Sequence, residues 1–113
     1  MNDKEGPLTT AALYILLALS ECDLHGYGIM QSVNRHSQGN YKIGPGTLYA
    51  NLSALLAKGR VGERQRKLKN GDTRREYSLT PSGEQVLRDE IRRLQRVVAA
   101  ARNRLGKLNE KDA

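Results

Sequence analysis

The sequence predicts a mainly α-helical fold carrying one small β-hairpin, on three observations. Apolar residues recur at helical spacing in separate segments before Lys58 and again after Pro81. Between them, Val61 to Leu68 and Thr73 to Leu79 flank Asn70-Gly71, the dipeptide most favoured in a tight hairpin turn. Finally, Leu87, Ile91, Leu94, Val98, Ala101, Leu105 and Leu108 follow one another at spacings of four and three, a heptad seam. Three helices, a hairpin and one long helix are the layout of a winged helix-turn-helix with a C-terminal dimerisation helix. The expected division is a flexible arm over 1–8, the winged domain over 9–79, the long helix over 80–108 and a disordered tail over 109–113.

Each element has its own signals. Thr9 or Thr10 can cap a first helix whose apolar face is read as Leu13, Leu16, Leu17 and Leu19, with Tyr14 beside them. That helix is apolar almost all round, so it belongs inside the domain. Ile29, Met30 and Val33 mark a second helix, which the Gln38-Gly39-Asn40 turn signal ends. Gly44-Pro45-Gly46 opens a third, with proline suited to the first turn because its missing N–H would have no intrahelical partner. Leu48, Leu52, Leu55 and Leu56 turn inward from it, and Gly59 stops it. Its outward residues, Gly46, Thr47, Ala50, Ser53 and Ala54, are small and uncharged. They suit close approach to another surface, either a DNA major groove or another protein element.

A two-residue hairpin loop would set Arg66 opposite Arg75 and Lys67 opposite Arg74. Like charges facing each other destabilise an isolated hairpin and call for an anion nearby. Val61, Tyr77 and Leu79 give the same hairpin an apolar foot, so it reads as a wing with a charged tip. Thr80-Pro81 starts the last helix as N-cap and N1. That helix, roughly 40 Å long at about 1.5 Å per residue, leaves its seam uncovered by so small a domain and needs a partner, most simply a second copy. A lipid surface is the weaker partner although six arginines line the polar side, because the seam has neither Trp nor Phe.

Charge is concentrated. The net +7 comes from 19 basic and 12 acidic side chains. Residues 1–57 sum to −1, 58–76 to +5 and 77–113 to +3. A positive block beside a neutral body points to a polyanion partner. Cys22 is the single cysteine, which rules out an internal disulfide and suits a reducing compartment; a partly buried thiol at a helix end is expected. The apolar run Ala11 to Leu19 is too short to span a bilayer and is preceded by Asp3 and Glu5, so no membrane partner and a cytoplasmic location are expected.

His25-Gly-Tyr-Gly, Gly44-Pro-Gly-Thr-Leu-Tyr and Arg74-Arg-Glu-Tyr-Ser-Leu-Thr-Pro-Ser-Gly, in this order and at these distances, resemble the PadR family of bacterial transcriptional regulators. The likeness spans about Leu8 to Leu105. It implies a short-form member with a single dimerisation helix that represses a target operator, with Gly44 to Gly59 as recognition helix and Arg64 to Arg75 as wing. Two departures are visible. Glu76 stands where the family often places an aromatic or basic residue, and no aromatic follows Tyr77, so clamping a flat ligand between aromatic side chains at the dimer interface is not expected.

The expected partner is a palindromic double-stranded operator bound by a homodimer, with release by a small-molecule or other signal; a cavity between the last helix and the domain could take a small apolar ligand. Thr47, Tyr49, Asn51 and Ser53, with Gly46, face DNA from the third helix. Asn51 is either an adenine reader or a hydrogen-bonding group within the protein. Tyr27 and Tyr41 place hydroxyls on phosphates or pack in the core. Lys42, Lys58, Arg64, Arg66, Lys67, Lys69, Arg74 and Arg75 form the electrostatic pool. The dimer interface is expected at Leu87, Ile91, Leu94, Val98, Ala101 and Leu105. His25 and His36 are the only histidines and have no ligand cluster around them, so no metal, no cofactor and no enzymatic site is expected. The rival function is a winged module that binds protein or RNA, although RNA readers usually display stacking aromatics that this hairpin lacks.

Overall fold

The computed structural model describes residues 6–106. Its elements are α1 (Thr10–Leu19), β1 (Leu24–His25), α2 (Gly26–His36), α3 (Pro45–Ala57), β2 (Val61–Lys67), β3 (Thr73–Leu79) and α4 (Pro81–Leu105). The fold is the mainly helical one expected, with a three-stranded antiparallel sheet in the order β1-β3-β2. Residues 1–5 of the expected arm, the expected tail and seam residue Leu108 lie outside the described residues.

Helix ends follow their capping residues. Thr9 accepts the Ala12 N–H at 3.0 Å to start α1, and Thr80 accepts the Gly83 N–H at 3.0 Å to start α4. α3 closes by a Schellman motif, with Arg60 N–H on Leu55 O at 2.9 Å and Gly59 N–H on Leu56 O at 3.0 Å. Gly59 is the residue at positive φ, +73°, that this closure needs.

The core gathers Ile15, Leu16, Ile29, Val33, Leu48 and Leu52, all nearly inaccessible, with Leu19, Ile43, Leu55, Val61, Tyr77 and Leu87 around them. On α1 the buried face is Ala11, Ala12, Ile15, Leu16, Ala18 and Leu19, while Leu13, Tyr14 and Leu17 are half-buried. The expected face was therefore rotated. A helix apolar all round carries no asymmetry in its sequence, and which side goes inward is set by α2, α3 and α4 packing on it.

The hairpin register also differs from expectation. Arg66 faces Arg74, Gln65 faces Arg75, Arg64 faces Glu76 and Lys67 faces Thr73. Leu68 N–H bonds Asp72 O at 2.7 Å, and Gly71 N–H bonds Leu68 O at 3.0 Å with Gly71 at φ +92°. The loop is thus the three-residue kind, a turn followed by a left-handed glycine, instead of the two-residue kind. One residue of slip exchanges which side chains share a face.

Two strand faces result. Val61, Tyr77, Leu79 and, from β1, Leu24 lie toward the helices, as the apolar foot requires. Arg64, Arg66, Arg74, Glu76 and, from β1, His25 share the other face. β1, only two residues long, has no counterpart in the sequence reading. Cys22, expected to be partly buried, is exposed in the turn before it.

Candidate nucleic-acid interface

α3 turns Leu48, Leu52 and Leu55 inward and leaves Gly46, Thr47, Ala50, Ser53 and Ala54 exposed, so its outer strip is smooth and uncharged. Tyr49 is exposed over nearly half its surface, and its hydroxyl lies against Gly26, the first residue of α2. A Cβ at Gly26 would collide with that hydroxyl. The two glycine-marked segments of the sequence therefore meet at one contact, which ties the orientation of α3 to the start of α2.

Asn51 is already engaged. Its Nδ2 donates to Thr47 O at 2.8 Å and its Oδ1 accepts from Thr9 Oγ1 at 3.2 Å. Of the two roles read from sequence, the structure contains the hydrogen bond within the protein. Tyr41 stacks on Tyr14 with ring centroids 5.5 Å apart and is half-buried, whereas Tyr27 stands exposed at the entry to α2.

The wing sorts its cations by partner. Glu76, buried at 5% exposure, accepts from Arg64 at 3.3 Å and from Arg66 at 3.2 Å. Arg64 also reaches Asp23 at 3.7 Å, and Arg75 reaches Glu63 at 3.3 Å. Among the described residues, Lys42, Lys67, Lys69 and Arg74 have no carboxylate within ion-pair distance. Lys58, at the end of α3, is exposed and engaged in a contact of its own. Burial, reinforced by the Arg74 guanidinium and opposed by Glu76, holds the His25 imidazole below its ordinary pKa. His25 is accordingly neutral at pH 7 and adds no charge to the wing. The anion that facing arginines demand is Glu76, a residue that the sequence reading marked only as a departure.

α4 supplies the second surface. Ile91 is 38% exposed, Val98 42% and Leu105 75%, while Leu94 and Ala101 are half-buried. Val97, outside the seam as read, is also exposed at 51%. Leu87 is not part of this edge: at 7% exposure it sits in the protomer's own core, because the first turns of α4 pack on α1 before the rest projects away. Glu90, buried on the same stretch, is held below the ordinary carboxylate range by its hydrogen bonds to Arg93, at 2.6 and 3.1 Å, against the cost of burial.

Comparison with known proteins agrees with this geometry. Residues 15–89 match the Transcriptional regulator PadR-like family. The chain belongs to that family. PadR-like proteins are transcriptional regulators and not enzymes, as the absence of a readable catalytic constellation led us to expect. The chain is 36% identical over 83 residues to the Mycobacterium tuberculosis protein named Transcriptional regulator Rv3488, covering 74% of each chain. It shares the fold of a PadR family transcription regulator from Clostridium difficile R20291, with a TM-score of 0.75, 20% identity, and 87% and 100% of the two chains covered. It also resembles Bacillus subtilis PadR, solved in complex with operator DNA, at a TM-score of 0.66 and 25% identity over 75% of this chain and 48% of that one.

The structure leaves Gly46, Thr47, Tyr49 and Ser53 exposed on α3, with Thr47 and Tyr49 on opposite flanks of the strip that Gly46 and Ser53 form. It places Lys67, Lys69 and Arg74 at the hairpin's outer end. Arg64, Arg66 and Arg75 are instead drawn into ion pairs along the strands. Among the described residues no group of three His, Cys, Asp or Glu side chains is placed to hold a metal ion, and no helix is long and apolar enough to cross a membrane.

Proposed function

We propose that this PadR-like protein is a homodimeric, sequence-specific DNA-binding repressor of the cytoplasm. α3 lies in the major groove with Thr47, Tyr49 and Ser53 toward base edges, and the wing brings Lys67, Lys69 and Arg74 to phosphates. Two copies of α4 pack along Ile91, Leu94, Val98, Ala101 and Leu105. The observation that carries this reading is the pairing of a small-residue helix face with a hairpin tip whose cations, Lys67, Lys69 and Arg74, have no carboxylate partner among the described residues. Smoothness admits the helix to a groove, and the unspent charge supplies the sequence-independent share of affinity. The Bacillus subtilis relative, solved in complex with operator DNA, supports duplex DNA as the partner.

Salt tests it directly. With three or four phosphate contacts per protomer, the affinity for an operator duplex is expected to fall about 10³- to 10⁵-fold between about 50 and 200 mM salt. Affinity that barely moves over that range contradicts the wing assignment. An excess of RNA is expected not to displace a labelled duplex; displacement would favour an RNA-binding module instead.

Gly26→Ala probes the α2–α3 contact. The new methyl meets only the far end of the Tyr49 side chain, which can move, so the melting temperature is expected to shift by only a few degrees. Displacing Tyr49 from its seat should cost roughly one hydrogen bond's worth of binding, about 1 kcal/mol or fivefold in operator affinity. Unchanged affinity would show that Tyr49 plays no part in the interface.

The signal that releases the repressor has a candidate seat. A groove of about 410 Å³ opens beside α4, lined by Ser20, Leu79, Glu84, Leu87, Arg88, Ile91 and Arg92. Its size falls within the usual range for small-molecule sites, and Ile91 belongs also to the proposed dimer seam. A ligand there would bear on how the two copies of α4 meet.

A further inference from the structure

Three of the wing's arginines, Arg64, Arg66 and Arg75, are held by carboxylates of the same sheet. Glu76 lies at the middle of β3, opposite Arg64 on β2 and His25 on β1. Its side chain is 6% exposed, whereas those of Arg64 and Arg66 are 64% and 57% exposed. The asymmetry decides who holds whom. An exposed guanidinium loses little by leaving an ion pair, but a buried carboxylate stripped of its partners is left charged without water or counterion, which is strongly unfavourable. His25 is neutral and cannot take the arginines' place.

Resting on the DNA-binding reading above, we propose that Glu76 is a positioning residue that sets how many phosphates the wing neutralises. It keeps Arg64 and Arg66 flat on the outer face of the sheet as internal ion pairs, and leaves Lys67, Lys69 and Arg74 to meet DNA. Glutamine at position 76 needs no cation, so it would release Arg66. Arg64 would retain its longer contact to Asp23 at 3.7 Å and be released less. Two freed arginines per dimer would add about two phosphate contacts.

The test is the slope of log affinity against log salt on a random-sequence duplex. Glu76→Gln is expected to steepen that slope by about 2 per dimer and to raise affinity about 10- to 100-fold at 0.1 M salt. A merely structural role would lower the melting temperature and weaken binding without steepening the slope. Adding Arg66→Gln to Glu76→Gln should return the slope to that of the parent protein, since the gain runs through Arg66. Arg66→Gln alone, in which Glu76 keeps its hydrogen bond from Arg64, should leave the slope unchanged, whereas Arg74→Gln should make it shallower by about 2 per dimer. A Glu76→Gln slope equal to or shallower than the parent's, or a shallower slope for Arg66→Gln alone, overturns the inference while the wing assignment stands. A parent slope near zero with no effect of Arg74→Gln overturns both.

Discussion

Val98→Asp is expected to leave the protomer folded while abolishing the dimer and, with it, tight operator binding. Val98 is 42% exposed on α4, so aspartate there costs the isolated chain almost nothing. In the proposed dimer the same position is covered, and two-fold symmetry brings two carboxylates together inside an apolar seam, with Arg102 exposed at the edge of the same groove. Each uncompensated buried charge costs several kcal/mol, so the dimer dissociation constant should rise by at least about 10³-fold. Sedimentation equilibrium would read the mass and circular dichroism the intact helices. Leu87→Asp gives the contrast, because Leu87 is in the protomer core and its replacement should unfold the chain. A Val98→Asp protein that remains dimeric with parental operator affinity would place the interface elsewhere.

Gly83→Ala is expected to be the most damaging glycine substitution in the domain. Gly83 sits in the first turn of α4, where its N–H caps onto Thr80 and its Cα faces the chain between α3 and β2. An added Cβ would run into the backbone carbonyl of Arg60 and crowd a Leu79 methyl at 2.8 Å. Backbone cannot swing aside as a side chain can. The same stretch is pinned by Thr80 Oγ1 donating to Gly59 O at 2.7 Å and by Thr80 N–H on Arg60 O at 3.3 Å. The methyl therefore has to push α4 away from the winged domain, at about 3 kcal/mol, or a fall of roughly 12–24 °C in melting temperature. Gly46→Ala, on the exposed face of α3 with nothing near the new methyl, should instead leave the protomer as stable or slightly more stable. Equal melting temperatures for the two variants would refute this account of how α4 is seated.

What was legible in the sequence was local. Leu48, Leu52 and Leu55 could be assigned inward because a narrow apolar stripe on a helix has one solution, and Thr80-Pro81 and Gly59 marked their helix ends by chemistry that acts within a turn. What was illegible depended on tertiary placement. The apolar ring of α1 could not say which side its neighbours would cover. Asn70-Gly71 fits both a two-residue and a three-residue loop, and choosing between them moves every pairing by one.

That single step hid the charge network. In the two-residue register Arg64 would face Tyr77; in the observed one it faces Glu76. Nothing in the residues beside Glu76 and Glu90 reveals that strand β1 will pair across the one or that the backbone at Leu8 will reach the other. The position of Asn51 on α3 fitted base recognition and a hydrogen bond within the protein alike, and the partner its amide meets, Thr9, lies 42 residues earlier in the chain. Contacts over that distance leave no periodic trace.

The central claim is that two protomers, joined along α4, read one two-fold symmetric duplex site. Fragments selected from the host genome by the protein should converge on a palindrome whose half-sites are centred about one helical turn, roughly 34 Å, apart. The decisive measurement is the mass and affinity of the complex on that fragment, by sedimentation with a random duplex of equal length as control. Two protomers per palindrome, bound at least about 10³-fold more tightly than to the random duplex, is the predicted result. One protomer per site, or a single half-site held as tightly as the full palindrome, would contradict it.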